Sequence, residues 1–178
     1  LLKNADNAMY RAKEQGRDTY AFYSEEMSTR VHARLSMENK LRKAVDESQF
    51  DVYYQPQIDI VNNTIVGVEA LLRWRSPEGE AVGPEEFVPL LEDTGLIVPV
   101  GDRVLETACE QVHAWNRQLG RRLELAVNIS ARQFTNTRFP EIVQDIVADS
   151  GLDPGLLQLE MTESVYLRTT GTGSATVH

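Results

Sequence analysis

Cysteine is nearly absent from this sequence. Cys109 stands alone among 178 residues, which excludes a disulfide within the chain and a cysteine-rich zinc site. A single thiol is compatible with a reducing, cytoplasmic setting. Long apolar runs are also missing, and nothing approaches the roughly 20 residues that a membrane-spanning helix needs. The opening Leu1-Leu2-Lys3-Asn4 shows no initiator Met, basic n-region or cleavage site, so no signal peptide is visible. This start reads as the interior of a longer protein, whose upstream part could carry an inner-membrane anchor. Positive charge is scarce as well: 18 Lys and Arg stand against 27 Asp and Glu, for a formal charge of −9. An acidic surface repels phosphate backbones at long range, which argues against a general DNA or RNA binder. A phosphate ligand can still be held locally, by metal ions or a placed arginine. No internal repeat or low-complexity stretch appears before the tail Thr169-Thr170-Gly171-Thr172-Gly173-Ser174, which is expected to be poorly ordered if nothing follows it.

What is present has a globular profile, with 42% hydrophobic and 25% charged residues, enough for one domain or one domain plus a fragment. Ala5, Ala8, Met9 and Ala12 recur at helical spacing with Gly16 as a C-cap, and Thr19 to Tyr23 favours an extended piece. That unit is too small to fold alone. Residues 25–48 are charged and helical in period, with a broken stripe of Met27, Val31, Leu35, Leu41 and Val45; they read as a stiff connecting helix with a solvated acidic face.

From residue 50 strands and helices alternate. Phe50 to Ile60 and Thr64 to Trp74 are rich in β-formers, and the Asn62-Asn63 turn between them favours an antiparallel hairpin. Pro84-Glu85-Glu86 opens a short helix. Val104, Leu105, Ala108, Val112, Trp115 and Leu119 mark one face of a longer helix that Gly120 ends. A strand over Leu123 to Ile129, a helix over Pro140 to Ser150 closed by Gly151, and a strand over Leu156 to Met161 follow. Strand, helix, strand, helix, strand implies parallel strands with crossover helices.

Three polar residues interrupt the apolar strands near their ends: Glu69, Asn128 and Glu160. A buried lone carboxylate costs several kcal/mol unless compensated, and a shared divalent cation is one compensation. Two carboxylates and an amide oxygen are hard donors, suited to Mg²⁺ or Mn²⁺ rather than zinc or copper. In parallel α/β folds, sites form at C-terminal strand ends. Taken singly, each residue reads more readily as an ordinary strand-end group facing water. Cys109 sits on the apolar side of the long helix and reads as core, His113 and Trp115 on the same helix read as packing or wet-surface residues, and His32 and His178 have no partners at metal-ligand spacing.

The motifs narrow this choice. Tyr53-Tyr54-Gln55-Pro56, Glu69-Ala70-Leu71-Leu72-Arg73-Trp74, Gly83-Pro84-Glu85-Glu86-Phe87-Val88-Pro89-Leu90-Leu91-Glu92, Val127-Asn128-Ile129-Ser130 and Leu159-Glu160-Met161-Thr162-Glu163-Ser164 occur in that order. Together they resemble the first half of an EAL-type cyclic-di-GMP phosphodiesterase domain. Ala5-Asp6-Asn7-Ala8-Met9-Tyr10-Arg11-Ala12-Lys13, followed by Gly16-Arg17-Asp18, resembles the end of a GGDEF (diguanylate cyclase type) domain. The expected organisation is a GGDEF end over residues 1–23, a linker helix over 24–48 and the N-terminal part of an EAL domain over 49–178. The fold class implied is α/β, a TIM-like barrel of which about the first half is present.

The resemblance implies hydrolysis of cyclic-di-GMP to linear pGpG at a two-metal Mg²⁺ or Mn²⁺ site. Glu69, Asn128 and Glu160 would be metal ligands, with Glu69 and Glu160 catalytic. Arg73 would contact a ligand phosphate, Gln55 and Leu71 would line the pocket, and Glu163 would brace an active-site loop. The family's paired aspartates and lysine fall beyond the matched motifs and are not in this chain. The chain alone is therefore expected to be inactive, with half a barrel exposing two strand edges. The alternative is an EAL module without catalysis that serves as a cyclic-di-GMP receptor or a protein-interaction platform. A homodimer of the full-length protein, and a sensor or GGDEF domain upstream, are further expectations from the resemblance.

Overall fold

A computed structural model describes residues 9, 25–75, 79 and 81–161. The remnant expected over 1–23 (Met9 apart), the residue Glu163 and the polar tail lie outside the described residues. The chain divides into two compact units, Leu1–Lys43 and Ala44–His178. Helix α1 (Glu25–Asp46) runs across that division. Within the first unit Arg34 Nε pairs with Glu38 Oε1 at 3.1 Å, an i,i+4 contact worth a few tenths of a kcal/mol.

The second unit begins with the expected hairpin. Strands β1 (Phe50–Asp59) and β2 (Thr64–Arg75) pair antiparallel from Phe50↔Trp74 to Asp59↔Thr64, with an irregularity at Gln57/Ile58. The turn is held by one carboxylate: Asp59 accepts from Val61 N at 2.8 Å, Asn62 N at 3.3 Å and Asn62 Nδ2 at 2.5 Å. These bonds, the side-chain one first, hold the Asp59 pKa below its ordinary value. Pro56 is paired opposite Val68 and is accommodated because β1 is an edge strand among the described residues.

A two-residue strand β3 (Ala81–Val82) pairs with the end of β2. Helices α2 (Pro84–Thr94) and α3 (Ile97–Leu119) follow. The long helix, whose apolar face was marked from Val104, starts at Ile97. Pro99 sits in its first turn, where a missing N–H costs nothing, and Ile97 and Val100 extend the buried stripe upstream. Strand β4 (Glu124–Asn128), a four-residue helix α4 (Ala131–Phe134), helix α5 (Phe139–Ser150), a 3₁₀ turn (Pro154–Leu156) and strand β5 (Leu157–Glu160) complete the described chain. The caps expected at Gly120 and Gly151 are present, each with a positive φ (62° and 72°) that an L side chain disfavours.

The sheet order is β1-β2-β4-β5, with β3 attached to β2. β4 runs parallel to both β2 and β5, as the alternating pattern implied. Val68, Ala70, Trp74, Leu125 and Val127 are buried, as are Val104, Leu105, Ala108 and Val112 of α3 and Phe87 and Leu91 of α2. Each fully buried Leu or Phe contributes roughly 1.5–3 kcal/mol. Phe50, Trp74 and Phe87 form an aromatic cluster with centroids 5.9–6.3 Å apart. Trp115 meets Tyr54 edge-on at 4.9 Å, the packing alternative of its two expected roles. Burial pushes the Tyr54 hydroxyl up to about 12 and the Cys109 thiol up to about 11, which makes Cys109 an inert core group.

Side chains alternate across a strand. By register, Gln57, Gly67 and Glu124 lie side by side on one face, a layer below Gln55, Glu69 and Ala126. A Cβ on Gly67 would stand 2.8 Å from the Glu124 carbonyl oxygen and 3.0 Å from Gln57 Oε1. Gly67→Ala is expected to lower unfolding stability by about 1–3 kcal/mol through this overpacking. Gly155→Ala, whose Cβ meets nothing nearer than 3.4 Å, should stay within about 0.5 kcal/mol. Urea denaturation of the two variants checks this, and equal losses would contradict it.

Candidate active site

Register alone gathers most of the candidate residues on one side of the sheet. Gln55 is paired with Glu69, and Tyr53 with Leu71, across β1 and β2. Glu69, Leu71 and Arg73 are two residues apart on β2, so they share a face. Glu69 aligns with Ala126 on β4, and Asn128, two residues on, shares that face and aligns with Glu160 on β5. The opposite face carries Ala70, Trp74, Leu125 and Val127, all buried. The polar set and the apolar core are therefore two readings of one alternation.

Within this set Asn128 Nδ2 donates to Glu69 Oε1 at 2.7 Å, across 59 residues of sequence. The Glu160 carbonyl accepts from Ile129 N at 2.8 Å, which ties the end of β5 to the residue after Asn128. Glu69 is half-buried, while Asn128 and Glu160 are exposed. Glu69 is not at the end of β2, which continues to Arg75 alongside β1 and β3. It lies where the parallel pairing with β4 stops, at Gly67–Ala70, so all three groups meet at the C-terminal margin of the parallel strands. The Arg73 guanidinium carbon lies 5.9 Å from the Tyr53 ring centroid, and its Nη1 donates to the Leu72 carbonyl at 2.8 Å. A cavity of about 270 Å³ beside this margin is lined by residues that include Leu71, Arg73, Asn128 and Gln133. Gln55, Glu69 and Glu160 are not among its lining residues. A larger groove of about 470 Å³ runs between β1 and α3 and holds none of the candidate residues.

Two carboxylates and an amide at the C-terminal margin of the parallel pairing form a donor set of hard oxygens, which fits Mg²⁺ or Mn²⁺. The amide turned by half a rotation presents its oxygen in place of its nitrogen. Among the described residues no group of three or more His, Cys, Asp or Glu could hold a metal, so the amide is necessary to any such site here.

Sequence reasoning missed the structure that follows Asn128. Ser130 caps α4: its hydroxyl accepts from Gln133 N at 3.3 Å, and its own N and Oγ donate to Gln133 Oε1 at 3.3 and 3.1 Å. Gln133 Nε2 donates to Asp102 Oδ1 of α3 at 3.2 Å. The Ser130-Ala131-Arg132-Gln133 spacing is a capping-box signature and was the available signal. Next to it, Arg132 Nη2 donates to the Asp93 carbonyl at the end of α2, at 3.2 Å.

Residues 38–178 match the EAL domain family, and the chain belongs to it. It is 40% identical over 168 residues to the bifunctional diguanylate cyclase/cyclic di-GMP phosphodiesterase MucR of Pseudomonas aeruginosa, covering 94% of this chain and 24% of that protein. It is 37% identical over 167 residues to the cyclic di-GMP phosphodiesterase PdeR of Escherichia coli, covering 94% and 25%. The chain thus spans about a quarter of the length of these relatives. Among solved structures it resembles the PaMucR phosphodiesterase in complex with c-di-GMP, with TM-score 0.71 and 38% identity over 76% of this chain and 55% of that one. The cGMP-bound EAL enzyme Bd1971 gives TM-score 0.74 and 30% identity over 79% and 40%. The α/β fold with its parallel sheet is that of part of a TIM-like EAL barrel.

Burial raises the Asp102 pKa above the ordinary 3.8, and the bond from Gln133 opposes that rise. The folded state then holds this proton more tightly than the unfolded chain, so this contribution to stability falls as pH rises through the window just above 3.8. Asp102→Asn keeps an acceptor for Gln133 and is expected to flatten the pH dependence in that window. Urea midpoints measured from pH 3.5 to 7 test this, and an unchanged slope would contradict it.

Proposed function

We propose that this chain is the N-terminal part of a metal-dependent phosphodiesterase domain that hydrolyses cyclic-di-GMP to pGpG, within a longer bacterial signalling protein. The observation that carries this reading is the 2.7 Å bond between Asn128 and Glu69, with Glu160 in register on the next strand. Three hard donors sit on one margin of the sheet, in a chain whose relatives include proteins named as cyclic di-GMP phosphodiesterases.

Glu69, Asn128 and Glu160 would hold Mg²⁺ or Mn²⁺. The chemistry such ions supply when bound is polarisation of a phosphate and activation of water. The residues of this chain then have separate tasks. Arg73 offers a planar fork of donors to a ligand phosphate. Gln55 and Leu71 line the ligand side on β1 and β2. Glu163, outside the described residues, would brace an active-site loop if the family resemblance holds there. A protein of formal charge −9 would bind phosphate only locally, through such ions and a placed arginine.

The wider context is read the same way. An alignment of 168 residues with MucR is longer than the 38–178 segment and so reaches upstream of it. On the motif from Ala5 to Asp18 we read a GGDEF domain ending near residue 23 and a linker helix over 24–48. We place the full-length protein in the cytoplasm, facing a sensor upstream and able to form a homodimer. On this reading the 178 residues supply three of the donors that the reaction needs, and the family's paired aspartates and lysine would come from outside them.

Turnover of cyclic-di-GMP with Mn²⁺ tests the assignment. In the full-length protein Glu69→Ala is expected to lower kcat by about a hundredfold or more, since even supporting residues of metal sites cost 10–100-fold. Equal activity in the two proteins would sink the ligand assignment. The 178-residue chain by itself is expected to show no turnover, and measurable pGpG from it would overturn that part.

A further inference from the structure

Gln133 is 1% exposed and yet is a primary amide, with four hydrogen-bonding positions to satisfy. Burying such a group unpaired costs roughly 1–3 kcal/mol, and here its partners are specific. Its oxygen accepts from both N and Oγ of Ser130, and its nitrogen donates to Asp102 of α3. The amide also lies flat against the α3 backbone. A Cβ on Gly101 would stand 2.4 Å from Nε2, 2.5 Å from Oε1 and 2.6 Å from Cδ of Gln133, so the approach exists only because residue 101 has no side chain.

The amide therefore links a helix end to the chain just past Asn128. Asn128 is the last residue of β4. After it, Ile129 is pinned through its N–H to the Glu160 carbonyl at 2.8 Å, and Ser130 is pinned through Gln133 to α3. A strand end held only by its neighbour can fray. Two successive anchors leave the Asn128 Cα–Cβ direction little freedom. The anchoring helix α4 has four residues and is too short to hold itself, so its rigidity comes from these side-chain bonds and from Arg132 on the end of α2.

We propose that Gln133, braced by Asp102 and admitted by Gly101, is a positioning residue that sets the Asn128 amide against Glu69 and thereby the affinity of the site for a divalent cation. This rests on the reading of Asn128 and Glu69 as metal ligands. Supporting partners of metal ligands commonly change affinity by 10–100-fold.

The test is Mn²⁺ binding to the full-length protein, followed by the electron paramagnetic resonance signal of free Mn²⁺, with circular dichroism to confirm folding. Gln133→Ala and Gly101→Ala are each expected to weaken Mn²⁺ binding by about tenfold or more. Gln133→Glu keeps the acceptor for Ser130 but sets a carboxylate against Asp102, and it should weaken binding likewise. Adding Asp102→Asn to Gln133→Glu restores a donor–acceptor pair and should restore the affinity. Rescue of this kind is not expected from a role in bulk packing. Wild-type Mn²⁺ affinity in folded Gln133→Ala or Gly101→Ala, with binding lost in Glu69→Ala, would overturn the positioning role alone. Wild-type affinity in Glu69→Ala would overturn the metal-site reading beneath it. If Gln133→Ala does not fold, the Gln133→Glu pair decides: no rescue by Asp102→Asn overturns the proposal.

Discussion

Parallel pairing of β4 with a strand on each side is the constraint on which the rest depends. The registers Glu69↔Ala126 and Asn128↔Glu160 are set by backbone hydrogen bonds, and a slip of one residue would turn every side chain to the other face. The apolar positions forbid that slip, because Leu125 and Val127 are buried against helices and could not be exchanged for Asn128 and Glu124 without stranding polar groups in the core. The core thus enforces the site. Burial of one face makes the placement of the acidic residues on the other face obligatory, with no attraction needed between the acids themselves.

Glu69 and Glu160 come to one margin of the sheet with an amide between them. Asn128 donates to the Glu69 carboxylate, and a cation would instead be met by oxygen donors from all three groups. The same amide can serve either state by rotating. A carboxylate at that position would add repulsion in the empty site, and an apolar side chain would remove a donor. The amide is the residue type that suits both conditions.

Much of this architecture was legible from the chain. Asn62-Asn63 marked the hairpin, Gly120 and Gly151 marked two helix ends, and interruptions of apolar strands marked Glu69, Asn128 and Glu160. Some boundaries lay beyond the marked residues: the apolar stripe was read from Val104, whereas α3 starts at Ile97 with Pro99 in its first turn. Strand β4 is shorter at both ends than the run Leu123 to Ile129 suggests, because hydrophobicity continues into Ile129 while strand geometry does not. Helix α4 escaped because four residues carry no periodicity. The pairing of Gly101 with Gln133 was out of reach for a different reason. Its signal is a distance between two helices, and only the packed chain holds that information.

The hairpin has one more consequence, which concerns time. β1 and β2 are joined by a short turn stapled by Asp59, and such hairpins close in about 1–10 μs. The parallel pairings must wait for whole helices to form and fold back, and loop-closure entropy slows them. Glu69 is therefore expected to take its place on β2 before Asn128 and Glu160 join it. The 2.7 Å contact between Asn128 and Glu69 then depends on the slower closure of the β2–β4 crossover, so it reports on completion of the parallel sheet rather than on formation of the hairpin.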